Sequence, residues 1–289
     1  MCYRLQETFG KDCRVTIQKF TKNNSVVRPA LVVRREGVCC SPVLYLDAYF
    51  CDYQRGIPED VILKRMLEQY RSETSPVIPC PDSFPDADYL KEHAICRIVG
   101  QDGNESLLKE IPYRPVLNLA VVYYLEIELE GGDQAACLLR NEMLSVSGMT
   151  ASQLDQYALQ NTRKRYPCQF VSMNEMMRDL SDQPFRLNEE TEEASAMYIL
   201  TNEQHMYGAF WMSDPDELKK IFMMLGEDYY ILPSSIHECI ILRRSASSGE
   251  DELLHMVSEI NAFFVSSEEV LADAVYYYGT PLCGLVRIR

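Results

Sequence analysis

No glycine-rich phosphate loop is present in this sequence. Neither Gly-x-x-x-x-Gly-Lys-[Ser/Thr] nor Gly-x-Gly-x-x-Gly occurs, and glycine is sparse at 13 of 289 residues, which excludes the common nucleotide cradles. None of the 11 cysteines is spaced Cys-x-x-Cys, so the paired ligands of a structural zinc are missing. The strained Gly-x-Ser-x-Gly elbow of α/β-hydrolases is missing too. No apolar stretch reaches the roughly 20 residues needed to cross a bilayer; the longest, Val116 to Leu129, is broken by Asn118, Glu126 and Glu128. The opening residues, Met-Cys-Tyr-Arg-Leu-Gln-Glu, lack the apolar core of a secretory signal.

What is present begins with acid. Asp and Glu total 43 against 28 Lys and Arg, a formal charge of −15, which repels nucleic acid and anionic membranes over most of the surface. The first 35 residues are the exception, with eight cations (Arg4 to Arg35) against Glu7 and Asp12. Cysteines such as Cys137 and Cys239 sit inside apolar runs, where a free thiol behaves as a small hydrophobe. An odd cysteine count with no signal peptide points to a reducing cytoplasm.

Periodicity predicts an α+β architecture of recurring strand–strand–helix units, with mainly antiparallel sheets flanked by helices. In the first unit, strands near Val15–Phe20 and Ala30–Arg35 precede a helix opened by Pro58, whose stripe is Ile62, Leu63, Met66, Leu67 and Tyr70. The second pairs a strand near 119–129 with Ala135–Leu139 across Glu130-Gly131-Gly132-Asp133. Thr150-Ala151-Ser152-Gln153 then reads as a capping box, and Ser172-Met173-Asn174-Glu175 as another. In the third, strands Met197–Leu200 and Tyr207–Met212 flank a turn at Thr201 to Gln204, and Asp214-Pro215 opens a helix stopped by Gly226. Strands Tyr229–Leu232 and Ile236–Leu242, helices near Asp251–Asn261 and Glu268–Asp273, and a strand Val275–Tyr278 complete the pattern. Prolines at 76, 79, 81 and 85 and acids at 189, 190, 192 and 193 mark connectors. The expected divisions are an N-terminal unit over 1–111, a central hairpin-helix unit over 112–188, and a C-terminal domain over 194–289.

Five strings carry a family resemblance: Ser41-Pro42-Val43-Leu44-Tyr45-Leu46, the run Val116 to Tyr124, Met197-Tyr198-Ile199-Leu200-Thr201-Asn202, Ile231-Leu232-Pro233-Ser234-Ser235-Ile236-His237-Glu238, and the run Val270 to Tyr278. In this order the chain resembles a family of uncharacterised Firmicutes proteins known only as a domain of unknown function. Its most specific mark is Leu-Pro-Ser-Ser-Ile-His-Glu. The resemblance spans nearly the whole chain, departs at Met1 to Phe9 and at Leu282 to Arg289, and implies fold, compartment and bacterial origin without an activity.

Ser234, Ser235, His237 and Glu238 are the parts of a nucleophile–base–orienter relay. On an extended strand Ser235 and His237 share one face while Glu238 points away, so a turn with satisfied backbone is the stronger reading. A hydrolase would need Ser235 beside His237 and a distant Asp228 or Asn202 to complete the set. His237-Glu238 lacks the second histidine of a zincin helix, so no metal and no cofactor are expected. Tyr123-Tyr124, Tyr229-Tyr230 and Tyr276-Tyr277-Tyr278 suit half-buried strands, and an exposed tyrosine cluster would suit a protein interface. Asn202, Tyr229, Tyr276, Tyr277 and Tyr278 are therefore candidate binding residues. By elimination the reading is a non-enzymatic protein-binding or accessory module of the cytoplasm. A hydrolase on Ser235 and His237 is one alternative, and a nucleic-acid surface on residues 1–35 is another that the acidic balance disfavours. No feature of the sequence sets an oligomeric state.

Overall fold

Cys13 and Val15 are buried and alternate with Arg14 and Thr16, and Val15 faces Val33 across an antiparallel ladder, the period-two pattern of a sheet with one buried face. The computed structural model describes residues 4–6, 13–35, 43–73, 86–128, 134–180, 197–233, 235–280 and 284–288. β1 (Cys13–Thr21) pairs with β2 (Val27–Arg35), and a short β3 (Val43–Tyr45) joins the other edge of β2. Two helices, α1 (Asp47–Gln54) and α2 (Glu59–Glu73), follow. Their Tyr49, Ile62, Met66 and Tyr70 are buried with Leu31, Val33 and Leu44, so the helical stripe lies on the apolar side of the sheet.

After α3 (Ala87–His93), β4 (Ala94–Gly100) begins a second antiparallel sheet. A short α4 (Glu105–Leu108) leads to β5 (Tyr113–Val116), β6 (Leu119–Glu128) and β7 (Gln134–Leu138). β6 is the long central strand, with β4 on one edge and β5 then β7 along the other. Helix α5 (Asn141–Ser147) precedes α6 (Ala151–Arg165), which opens with the Thr150–Gln153 capping box and packs on β4.

The third sheet is built from β8 (Cys168–Ser172), β9 (Met197–Asn202), β10 (Tyr229–Leu232), β11 (Cys239–Arg243), β12 (Val275–Gly279) and β13 (Gly284–Ile288). Its order is β13-β12-β10-β11-β9-β8, antiparallel throughout. Helix α7 (Met173–Leu180) carries the Ser172–Glu175 cap at its start. Helix α8 (Pro215–Leu225) lies between the Asp214 cap and Gly226 in the left-handed region, and α9 (Glu250–Phe263) follows β11. The protein is thus α+β, with helices flanking three antiparallel sheets among the described residues. Val121 and Leu125 of β6, Leu200 of β9, Ile231 of β10 and Tyr276 of β12 belong to one core. That core draws on residues from both sides of the divisions expected at 111–112 and 188–194.

Local expectations failed where tertiary contacts captured the backbone. Residues 208–213 form a fully buried 3-10 turn instead of a strand. The chain reverses at Tyr207, with φ 58°, and Gly208 then passes so close to β9 that a Cβ there would lie 2.4 Å from Thr201 Oγ1. Thr201 and Asn202, expected in a turn, end strand β9. Residues 268–273 form no helix, because carbonyls that a helix would use are held elsewhere. Glu268 O and Val270 O accept from Asn23 Nδ2, Val270 O also from Asn24 Nδ2, and Glu269 O accepts from Ile236 N–H. Strand β11 starts at Cys239 rather than Ile236, since Ser235 N–H donates to Glu238 O in a turn. The connectors at 74–85 and 181–196 and the Glu130–Asp133 turn lie outside the described residues.

The β1–β2 turn is fastened to the rest of the molecule by amides. Asn104, fully buried, donates to Asn23, Asn24 and Gly100 and accepts the Asn24 N–H. Ser25 donates to Gly103 O. The tip of the N-terminal hairpin therefore forms a wall beside the second and third sheets.

Candidate functional site

Strand β4 reads Ala-Ile-Cys-Arg-Ile-Val-Gly, one charge in an apolar run. Ala94, Cys96 and Ile98 face the shared core, and alternation turns Arg97 to the other face. Arg97 lies opposite Val122, with Tyr124 one pair along on the same face, within diagonal reach on a pleated sheet. The guanidinium carbon is 4.1 Å from the centre of the Tyr124 ring and 3.6 Å from that of Tyr207. Two aromatic faces thus hold one cation, each worth about 0.5–2 kcal/mol. Its Nε is buried and has no hydrogen-bond partner, and no ion pair to Arg97 occurs among the described residues. A buried donor without an acceptor is costly and uncommon in native proteins. Burial pushes the Tyr124 phenol above its usual range, outweighing the opposite pull of Arg97.

The second ring is held in place by a rigid loop. Asn202, at the end of β9, donates to Met206 O and accepts the N–H groups of Gln204 and Met206. Tyr207 then adopts the left-handed region, strained for a non-glycine residue. Its N–H donates to Nδ1 of His237 at 3.2 Å, and the two rings lie 5.1 Å apart. With Nδ1 as acceptor, a neutral imidazole carries its proton on Nε2, which is 3.6 Å from Glu269 Oε1.

Two cavities meet at Arg97, Ala136, Met206 and Tyr207. The inner one, about 200 Å³, continues past Ile95, Phe210 and Trp211. The outer one, about 850 Å³, runs between the hairpin tip and the C-terminal half, past Lys22, Arg28, His237, Glu268 and Glu269. Most neighbouring charges are already engaged. Arg28 pairs with Asp47 and Glu268, and Lys22 lies over the Tyr45 ring. Buried Glu126 accepts from Arg165 at 2.7 Å and from the Tyr166 hydroxyl, whose pKa burial and that carboxylate push up. Arg97 and Lys22 are thus the cations of this cleft that meet aromatic faces without an acidic partner among the described residues, and Arg97 alone lies between two rings.

Ser235 Oγ accepts the backbone N–H of His237 at 3.0 Å. Neither ring nitrogen of His237 is given to that hydroxyl: Nδ1 takes Tyr207 N–H and Nε2 faces Glu269. Glu238 closes the same turn through its carbonyl, and Ser234 lies outside the described residues. Asn202 and His237 come together at Tyr207, as supports of the Arg97 site. The tyrosines lie elsewhere. Tyr229, Tyr276 and Tyr278 are buried, with hydroxyls of Tyr229 and Tyr276 bound to Leu218 O and Asn118 and Tyr278 stacked on Tyr229. Tyr277 donates to Asp228 at 2.5 Å. Arg14 and Arg34 stand opposite each other on β1 and β2, away from this cleft. Among the described residues no group of three His, Cys, Asp or Glu side chains could hold a metal, and no helix is long and apolar enough to cross a membrane. Arg97 and Tyr207 were not singled out from the sequence, although a lone arginine in an apolar strand is a visible signal.

Residues 2–280 match a family described as a family of unknown function, DUF5688. The chain belongs to DUF5688. No curated protein and no solved structure matches it significantly. Membership in DUF5688 brings no chemistry with it, so the reading of the cleft rests on its own geometry.

Proposed function

We propose that this protein is a non-enzymatic binding module of the bacterial cytoplasm that takes an anionic group, carboxylate or phosphate, on Arg97. The observation that carries this reading is the guanidinium itself: clamped between Tyr124 and Tyr207, without an ion pair among the described residues, at the junction of two cavities. A guanidinium is a planar donor fork suited to an oxyanion, and a half-buried cation attracts an opposite charge more strongly than one in bulk water. The absence of a serine–imidazole contact at Ser235 and His237 favours binding over bond-breaking. Free thiols at Cys13, Cys51, Cys96, Cys137, Cys168 and Cys239 support a reducing compartment.

The test is titration of the full chain with sodium acetate and with inorganic phosphate, followed by amide NMR. Saturable shifts are expected at Arg97, Tyr124 and Tyr207, with a Kd on the order of millimolar, or about −4 kcal/mol. Arg97→Ala should abolish them and Arg97→Lys should weaken them, since lysine lacks the fork. Shifts that survive in Arg97→Ala, or no shifts with either anion, would overturn the proposal.

A further inference from the structure

Resting on that reading, we infer that the ligand is a small monocarboxylate with an apolar body: the carboxylate lies on Arg97 and the body enters the inner cavity.

The inner cavity sets the body. Its volume is about 200 Å³, and Ile95, Phe210, Trp211, Met206 and Ala136 give it apolar walls. A buried cavity of about 150 Å³ with walls of this kind takes up benzene, so there is room for one ring or a short branched chain and none for a nucleoside. Of the polar side chains at its border, Gln204 is exposed and the others named next are already bonded within the protein. Thr162 Oγ1 accepts the Cys96 N–H and donates to Ala158 O. Glu126 is taken by Arg165 and Tyr166, and Asn202 by its own loop. The Arg97 guanidinium has no acidic partner among the described residues, and its terminal nitrogens, unlike the closed-off Nε, can meet a ligand. A ligand that matches the site therefore needs one oxyanion and otherwise hydrocarbon.

Charge sets the head. Arg97 is the single Lys or Arg that lines the inner cavity; across the outer cleft Arg28 is paired with Asp47 and Glu268, and Lys22 lies over the Tyr45 ring. At the inner cavity a dianionic phosphate would find one positive charge. A planar monoanion is matched by one guanidinium fork.

The experiment compares acetate, isovalerate, phenylacetate and inorganic phosphate, titrated calorimetrically against the full chain, Arg97→Gln and Ala136→Phe. Ala136 is exposed and borders both cavities, so a larger side chain there narrows the inner cavity at its mouth. Each buried methylene is worth about a factor of four, from about 0.8 kcal/mol. Isovalerate and phenylacetate are expected to bind at least tenfold more tightly than acetate, with phosphate no tighter than acetate. Ala136→Phe should lower the affinity for isovalerate and phenylacetate by a larger factor than that for acetate. Arg97→Gln should remove binding of all four. If Ala136→Phe does not fold, Ala136→Val should give a smaller loss of the same kind. Equal, Arg97-dependent affinity for acetate and the larger acids would overturn the ligand class and leave the anion site standing. Tight phenylacetate binding that persists in Arg97→Gln would overturn the head-and-body assignment. Failure of all four to bind would overturn both this inference and the anion-binding reading beneath it.

Discussion

Tyr207 N–H donates to Nδ1 of His237 at 3.2 Å, and the same tyrosine lays its ring 3.6 Å from the guanidinium carbon of Arg97. A histidine in a turn before β11 thus fixes, through one backbone amide, the upper face of a cation clamp whose lower face belongs to β6. His237 acts as a positioning residue.

His237→Ala should therefore weaken acetate binding at Arg97 several-fold, roughly the 1 kcal/mol of one hydrogen bond. Thermal stability should fall only modestly. Backbone relaxation by NMR should show new motion at residues 204–208. Unchanged affinity together with unchanged relaxation would remove the positioning role.

Gly208→Ala tests the loop from the other side. The added Cβ would lie 2.4 Å from Thr201 Oγ1 and 2.6 Å from the Asn202 amide nitrogen, so the chain must move off β9. Overpacking of this kind costs about 1–3 kcal/mol. The expected outcome is a lower urea midpoint and loss of anion binding together. A variant as stable as the parent would show that the close approach is not required.

Asp228 gives a pH dependence. The Tyr277 hydroxyl, then the backbone and hydroxyl of Thr280 and the guanidinium of Arg244, hold its carboxyl below the usual range. A depressed folded-state pKa contributes stability fully present above the unfolded value, about 3.9, and lost as pH falls through the lowered value. Asp228→Asn should cost about 1–2 kcal/mol at pH 7. The gap between parent and variant should close as the pH falls below 4. Urea titrations at pH 7 and pH 3 check this; a gap that stays constant or widens in acid would contradict it.

Asn104 should anchor the N-terminal hairpin. Its amide serves Asn23, Asn24 and Gly100 from a fully buried position, and such a network is worth more than one bond. Asn104→Ala is expected to cost about 2–4 kcal/mol. Hydrogen exchange should speed up at residues 22–26 and 266–270 before it does in β4 or β6. Uniform acceleration across all three sheets would argue against a local anchor.

Parts of this fold were legible before any coordinates. The Thr150–Gln153 box, the Asp214-Pro215 start and the Gly226 stop each satisfy orphan helix groups with residues a few positions away. The β1–β2 ladder follows from alternation in β1, and strands β10 and β12 from runs of tyrosine and isoleucine. Misreadings fell where a distant group outbid a local preference. Tyr207 to Met212 has strand composition, yet contact with β9 turns it into a buried 3-10 segment. Glu268 to Asp273 has helix composition, yet Asn23 and Asn24, from the opposite end of the chain, hold its carbonyls. At Ser235 to Glu238 the sequence favours a turn over a relay, and there His237 Nδ1 accepts the Tyr207 N–H while Ser235 Oγ accepts the His237 N–H.

By itself the sequence determined several helix ends, the first two hairpins, the acidic character and the absence of common nucleotide and zinc motifs, because each is set by residues adjacent or a few positions apart. Only the tertiary structure decided that Arg97 would be caught between Tyr124 and Tyr207 with its Nε unpartnered. That outcome depends on strand register, a left-handed residue and a glycine pressed against β9. Those are relations between distant segments, fixed by shared core packing, and local pattern does not encode them.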